Sequence, residues 1–121
     1  MKTSKLIVGS LIFLLITASC KKTEMRDLPP QLKLLVSDID QNPVNGASAD
    51  LYLTIEDFME NTNSIMSDTT DNEGIVIFTE LEELHYFFYV EKSGKSNFFG
   101  VASTSSTLEC GVITVIEVII E

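Results

Sequence analysis

Ala47-Ser48-Ala49-Asp50-Leu51-Tyr52-Leu53-Thr54-Ile55 places an apolar residue at every second position five times in succession. Successive side chains of an extended strand point to opposite faces, so this period buries one face and leaves the other to water. The stretch predicts a half-buried strand over 47–55. Upstream, Leu32, Leu34 and Val36 alternate in the same way and predict a first strand. The intervening Asp38-Ile39-Asp40-Gln41-Asn42-Pro43-Val44-Asn45-Gly46 reads as a turn, with Asn42 left-handed and Pro43 pre-setting the next φ.

Downstream the pattern lapses over 56–64 into a long loop with room for a helical turn, whose Phe58 and Met59 need apolar cover. A short strand over 65–69 leads through Thr70-Asp71-Asn72-Glu73-Gly74 into the β-branched run 75–79, its expected hairpin partner. Further strands are expected at 86–90, 98–103 and 112–120, with a turn through Gly94 over 91–97. About seven short strands, with turns every 8 to 12 residues or so, predict an all-β fold, a single Ig-like or transthyretin-like antiparallel β-sandwich.

The N-terminus has a different grammar. Lys2 and Lys5 precede an apolar run from Leu6 to Ile16, which closes on Thr17-Ala18-Ser19-Cys20. A basic region, a short apolar run and small residues are the order of a secretory signal peptide. At about eleven residues the run falls well short of the roughly 20 that cross a bilayer as a helix. Thr17-Ala18-Ser19-Cys20 resembles the lipobox of bacterial lipoproteins, with Thr17 where an aliphatic residue is preferred. The resemblance implies cleavage before Cys20 and a diacylglyceryl thioether on its sulfur. Two or three acyl chains on one residue anchor stably where a single chain does not.

The expected organisation is a cleaved signal peptide over 1–19, a lipidated tether over 20–30 closed by Pro29-Pro30, and a β-sandwich domain over 31–121. The expected location is the cell envelope, at a bacterial outer membrane, with the choice of face open. Cleavage leaves six basic residues against 18 acids, a charge of about −12, which repels nucleic acid and anionic headgroups. With two cysteines in the chain, acylation of Cys20 and a Cys20–Cys110 disulfide are competing uses of one sulfur. Cys110 itself, beside Gly111, reads as a buried or partly buried thiol.

A second resemblance covers 32–90. Asp40-Gln41-Asn42-Pro43-Val44-Asn45-Gly46-Ala47, then 70–74 with Phe78 and Leu81, then Tyr86, Phe88 and Val90 look like the carboxypeptidase regulatory-like domain. That family is a transthyretin-like (prealbumin-type) β-sandwich of bacterial envelope proteins; it usually has Gly where this chain has Asn42 and Leu84. The matching positions are turn and core signals. Val76, Phe78, Leu81, Tyr86, Phe88 and Val90 are expected in the core, with Tyr86 as a corner tyrosine bonding backbone.

Residues with catalytic potential are sparse. His85 is the only histidine, so a histidine zinc cluster or histidine-based triad has too few members. Asp38, Asp40 and Asn42 share the spacing of a calcium-loop opening, but position twelve is Ala49 and Pro43 stiffens the loop, so a structural turn is expected. No enzyme activity, cofactor or metal is expected. The candidate binding face is aromatic: Phe87 and Tyr89 alternate with the inward Phe88, and Phe98 and Phe99 lie nearby in sequence. Left exposed, such a face receives a sugar ring or another protein. The alternative is cover by the Phe58-Met59 loop or the last strand. That strand, 112–120, is apolar on both faces apart from Thr114 and Glu117. It must pair centrally, be covered, or join a partner. Three classes follow: a lipid-anchored binding or adaptor module, an assembly component docking through an apolar face or the last strand, and, disfavoured, an enzyme.

Overall fold

The computed structural model describes residues 28–121. The expectations for the signal peptide, Cys20 and the tether as far as residue 27 lie outside the described residues. Two sheets form the domain. Strands β1 (Gln31–Ser37), β4 (Ile75–Phe78) and β7 (Ile113–Ile119) make one, in the order β4-β1-β7. Strands β2 (Ser48–Tyr52), β3 (Met66–Thr69), β5 (Phe87–Lys92) and β6 (Lys95–Ser96) make the other, in the order β3-β2-β5-β6. Among the described residues the one helix, α1 (Ile55–Glu60), follows β2.

The core is the space between the sheets. Leu32, Leu34 and Val36 of β1, Val76 and Phe78 of β4 and Val118 of β7 meet Ala49 and Leu51 of β2 and Phe88 and Val90 of β5. Period-two patterning thus folds as expected, each of these residues being nearly or wholly buried. Tyr86 closes one corner, its hydroxyl accepting a hydrogen bond from the Glu82 backbone N–H at 2.9 Å.

Several expectations are corrected. The strand beginning near Ala47 stops at Tyr52 and leaves Leu53 and Ile55 exposed. Thr54 ends it by capping α1: its hydroxyl accepts the Asp57 N–H at 3.0 Å, with Glu56 and Asp57 in the first turn where the helix dipole favours acids. In the turn after β1, Gln41 is left-handed (φ 69°) and Asn42 is not. The residue before a proline is pushed toward extended backbone, so the reversal falls one position earlier. Strands β3 and β4 are not a hairpin; β3 pairs with β2 and β4 with β1, and 70–74 crosses between sheets. Gly74 is needed at that crossing, with φ 78° and a position where a Cβ would stand 2.4 Å from the Val36 carbonyl oxygen.

The expected strand over 98–103 is a loop held to the sheet by an isolated Phe87–Ser103 bridge, whereas Lys95–Ser96, expected as turn, is β6. The sandwich is also not purely antiparallel. β7 runs parallel to β1 from Gln31↔Ile113 to Ser37↔Ile119. The chain returns beside the start of β1, where the Gly111 N–H donates to the Leu28 carbonyl and the Gln31 N–H to that of Val112.

Candidate functional site

The aromatic face comes together but is covered. Helix α1 lies against β2 and β5, and its Phe58, only 6% exposed, drops onto the outer face of the four-stranded sheet. Its ring stacks on Phe98 at 5.6 Å and 12°. Phe87, Tyr89 and Tyr52 surround it at 6.3, 6.4 and 6.1 Å. Of the four candidate residues, Phe87, Tyr89 and Phe98 are half-buried beneath this cover. Phe99 alone is open: it stands edge-on to Phe98 at 5.0 Å and is 96% exposed.

His85 packs edge-on against Phe87 at 5.3 Å, and its Nε2 contacts the Thr104 carbonyl oxygen. The acidic turns serve the backbone. Asp38 Oδ1 accepts from the Asp40 and Asn42 N–H groups, each at 2.9 Å, and Asp71 Oδ1 accepts from those of Glu73 and Ile75, each at 2.9 Å. These amides, led by Asn42 and by Ile75, hold the two carboxyls below the usual aspartate value. No group of three or more His, Cys, Asp or Glu among the described residues is placed to hold a metal ion.

Sequence reasoning missed Asn97, which it placed in a turn. Its side chain is buried at the open end of β5 and β6, with Nδ2 donating to the Phe88 and Val101 carbonyls at 3.0 and 2.9 Å and Oδ1 accepting the Val90 N–H at 2.8 Å. The signal available was its place just after Gly94-Lys95-Ser96, where a hairpin needs its frayed backbone satisfied.

Besides Leu53, Ile55, Met59 and Phe99 near α1, exposed apolar side chains gather on the opposite side of the molecule, on the outer face of β4-β1-β7. Register places Ile77, Lys33 and Val115 in one row, and Ile75, Leu35 and Glu117 in the next. Ile77, Ile113, Val115 and Ile119 are 44%, 53%, 52% and 47% exposed. One cation and one anion interrupt this apolar face. A recess of about 380 Å³ opens at its end between Gln41, Pro43, Glu73, Glu117 and Ile119. Strand β7 bounds the face and is an edge strand, not the central or covered strand that the sequence also allowed.

Cys110 is half-buried and disulfide-bonded, which corrects the reading of it as a thiol. Cys20, the only other cysteine of the chain, lies outside the described residues.

No protein-family profile matches the chain, and no curated protein does. Among solved structures it is similar to the Bacillus anthracis TIE protein, with a TM-score of 0.55 and 16% identity over 76% of this chain. The chain spans 16% of that protein's length. At this identity the likeness concerns the β-rich fold alone.

Proposed function

We propose that the chain is a bacterial lipoprotein of the cell envelope, held at the outer membrane through acylated Cys20. Its sandwich, a carboxypeptidase regulatory-like domain by the residues of its turns and core, is a non-catalytic interaction module. It works without cofactor and without nucleic acid, and it docks other envelope components on the outer face of β4-β1-β7. The observation that carries the docking surface is the row of Ile77, Ile113, Val115 and Ile119 left open to water on one sheet face. Large apolar side chains gathered on one face mark interaction surfaces more often than singly scattered ones do. The anchor is supported by the order of residues 2–20. A thioether and a disulfide exclude each other at one sulfur, so the acylated form proposed here is one in which Cys110 carries no bridge to Cys20; the lipobox-like Thr17-Ala18-Ser19-Cys20 supports it against the bridged Cys110 of the structure.

Two measurements on the full chain in a bacterial host test this. Cys20→Ala should move the protein from the membrane to the soluble fraction; unchanged retention would refute the anchor. A photo-crosslinking residue at Ile77 should give discrete adducts in membranes, and the same residue at Leu53, exposed on the far side, should not. Equal yields at the two positions would refute the docking face. A second reading rests on Phe99, whose open ring on a packed aromatic base suits stacking against a sugar ring. Loss of glycan binding in Phe99→Ala would favour it.

A further inference from the structure

The four sheet edges are unequal. β3 and β4 are four residues long and β6 is two, and β3 carries Ser67, Asp68 and Thr69. Short or polar edges resist further pairing. β7 has neither protection. It is seven residues long, Ile113-Thr114-Val115-Ile116-Glu117-Val118-Ile119, with one charge and no lysine or proline. Its backbone pairs with β1 on one side, and among the described residues no other backbone partner reaches Ile113–Ile119.

The core is also unfinished along this edge. On β1 the inward Leu32, Leu34 and Val36 are buried, whereas on β7 only Val118 is, and Thr114 and Ile116 remain half-buried. Another strand laid against β7 would cover both. Resting on the reading of this side as the docking side, we propose that the strand is β7 of a second copy. The two would run antiparallel about a two-fold axis at Ile116, giving a continuous six-stranded sheet β4-β1-β7-β7-β1-β4.

The β7 sequence can pair with itself about Ile116, and charge fixes the register. Molecules of net charge −10 repel one another, so a self-contact must keep its acids apart. With Ile116 opposite Ile116 of the second copy, Glu117 lies opposite Val115, Ile113 opposite Ile119 and Thr114 opposite Val118. No two like charges meet, and three of the seven positions (113, 116 and 119) pair one apolar residue with another. Shifting the axis by one residue toward the C-terminus would set Glu117 against Glu117, which directly opposed strands penalise.

The test is sedimentation of the full chain in mild detergent over a concentration series. The wild-type chain should form a dimer. Val115→Lys sets a lysine opposite Glu117 twice per dimer and should tighten it, whereas Val115→Glu sets glutamate against glutamate twice and should weaken it. From the usual strength of cross-strand pairs, each dimer dissociation constant should move about 2- to 30-fold, in opposite directions. Position 115 is half exposed and stands beside Lys33, so within one chain Val115→Lys should slightly lower the thermal midpoint and Val115→Glu slightly raise it, opposite in sign to their effects on the dimer. A wild-type chain that stays monomeric to about 100 µM would overturn the proposal, as would two variants that weaken the dimer equally. Adducts from Ile77 to other proteins alongside a monomeric chain would leave the docking face standing and remove only the self-pairing. Edge-to-edge pairing leaves Ile77 uncovered.

Discussion

At the scale of single residues, buried polar side chains fix where the loops sit. Thr70 is such a residue: its hydroxyl accepts the Ala47 N–H at 2.9 Å and donates to the Val44 carbonyl at 2.6 Å, tying the turn before β2 to the crossing after β3. Asn97 does more, because it both donates and accepts and so satisfies three backbone groups at once. A buried donor or acceptor left without its partner costs about 1–3 kcal/mol. Asn97→Ala is therefore expected to lower unfolding free energy by roughly 2–4 kcal/mol in urea titrations. Asn97→Asp should be at least as damaging at neutral pH, since a carboxylate cannot donate to the Phe88 and Val101 carbonyls. An aspartate variant as stable as wild type would contradict this assignment.

At the scale of elements, α1 is the part that changes the reading of the surface. Six residues are too few for a helix to hold itself together in water. It persists because Thr54 caps one end, Asn61 ends it in the left-handed conformation (φ 55°), and Phe58 is packed among four rings. Phe58→Ala should cost about 3–5 kcal/mol, as loss of a buried phenyl ring does, and should uncover Phe87, Tyr89 and Phe98. Increased binding of a hydrophobic dye at temperatures where the variant is still folded would report the opened face. A stability loss below about 1 kcal/mol would mean that the helix is not a packed cover.

The inward residues of β1, β2, β4 and β5 were legible in the sequence because alternation depends only on local geometry and on which face meets water. So was the corner role of Tyr86. What was not legible depended on pairing across the chain. Nothing local tells that 75–79 leaves its neighbour to join β1, or that the last strand runs parallel to the first. The aromatic face was legible in its members but not in its exposure, since that turns on where Phe58 docks. Leu53 and Ile55 continue the strand pattern by composition, and the cap at Thr54 overrides it.

At the scale of the whole molecule, stability should fall away at both ends of the pH range. Burial raises the phenols of Tyr52 and Tyr86 above their ordinary 10.0, the larger influence in both cases. The folded state keeps these protons longer than the unfolded state does. Their contribution is complete below pH 10.0 and is lost as pH rises through the higher folded values. Asp38 and Asp71 act with opposite sign: their lowered values contribute above 3.8 and the contribution is lost as pH falls through the folded values. Thermal midpoints followed across pH should be flat between these limits, and Tyr86→Phe should soften the alkaline fall. A midpoint still constant well above pH 10 would contradict the burial of these phenols.

The whole molecule also combines an acidic composition and an apolar sheet face with the acylated Cys20 proposed above. If the proposed anchor holds it at a membrane, such a face would meet partners in two dimensions, where even a modest contact is strengthened by tethering. That role depends on what the Cys20 sulfur carries. Mass spectrometry of the mature protein recovered from membranes reads it directly. The account predicts an N-terminus at Cys20 with a diacylglyceryl thioether on that sulfur; a Cys20 joined by a disulfide to Cys110, with no acyl mass, would contradict it.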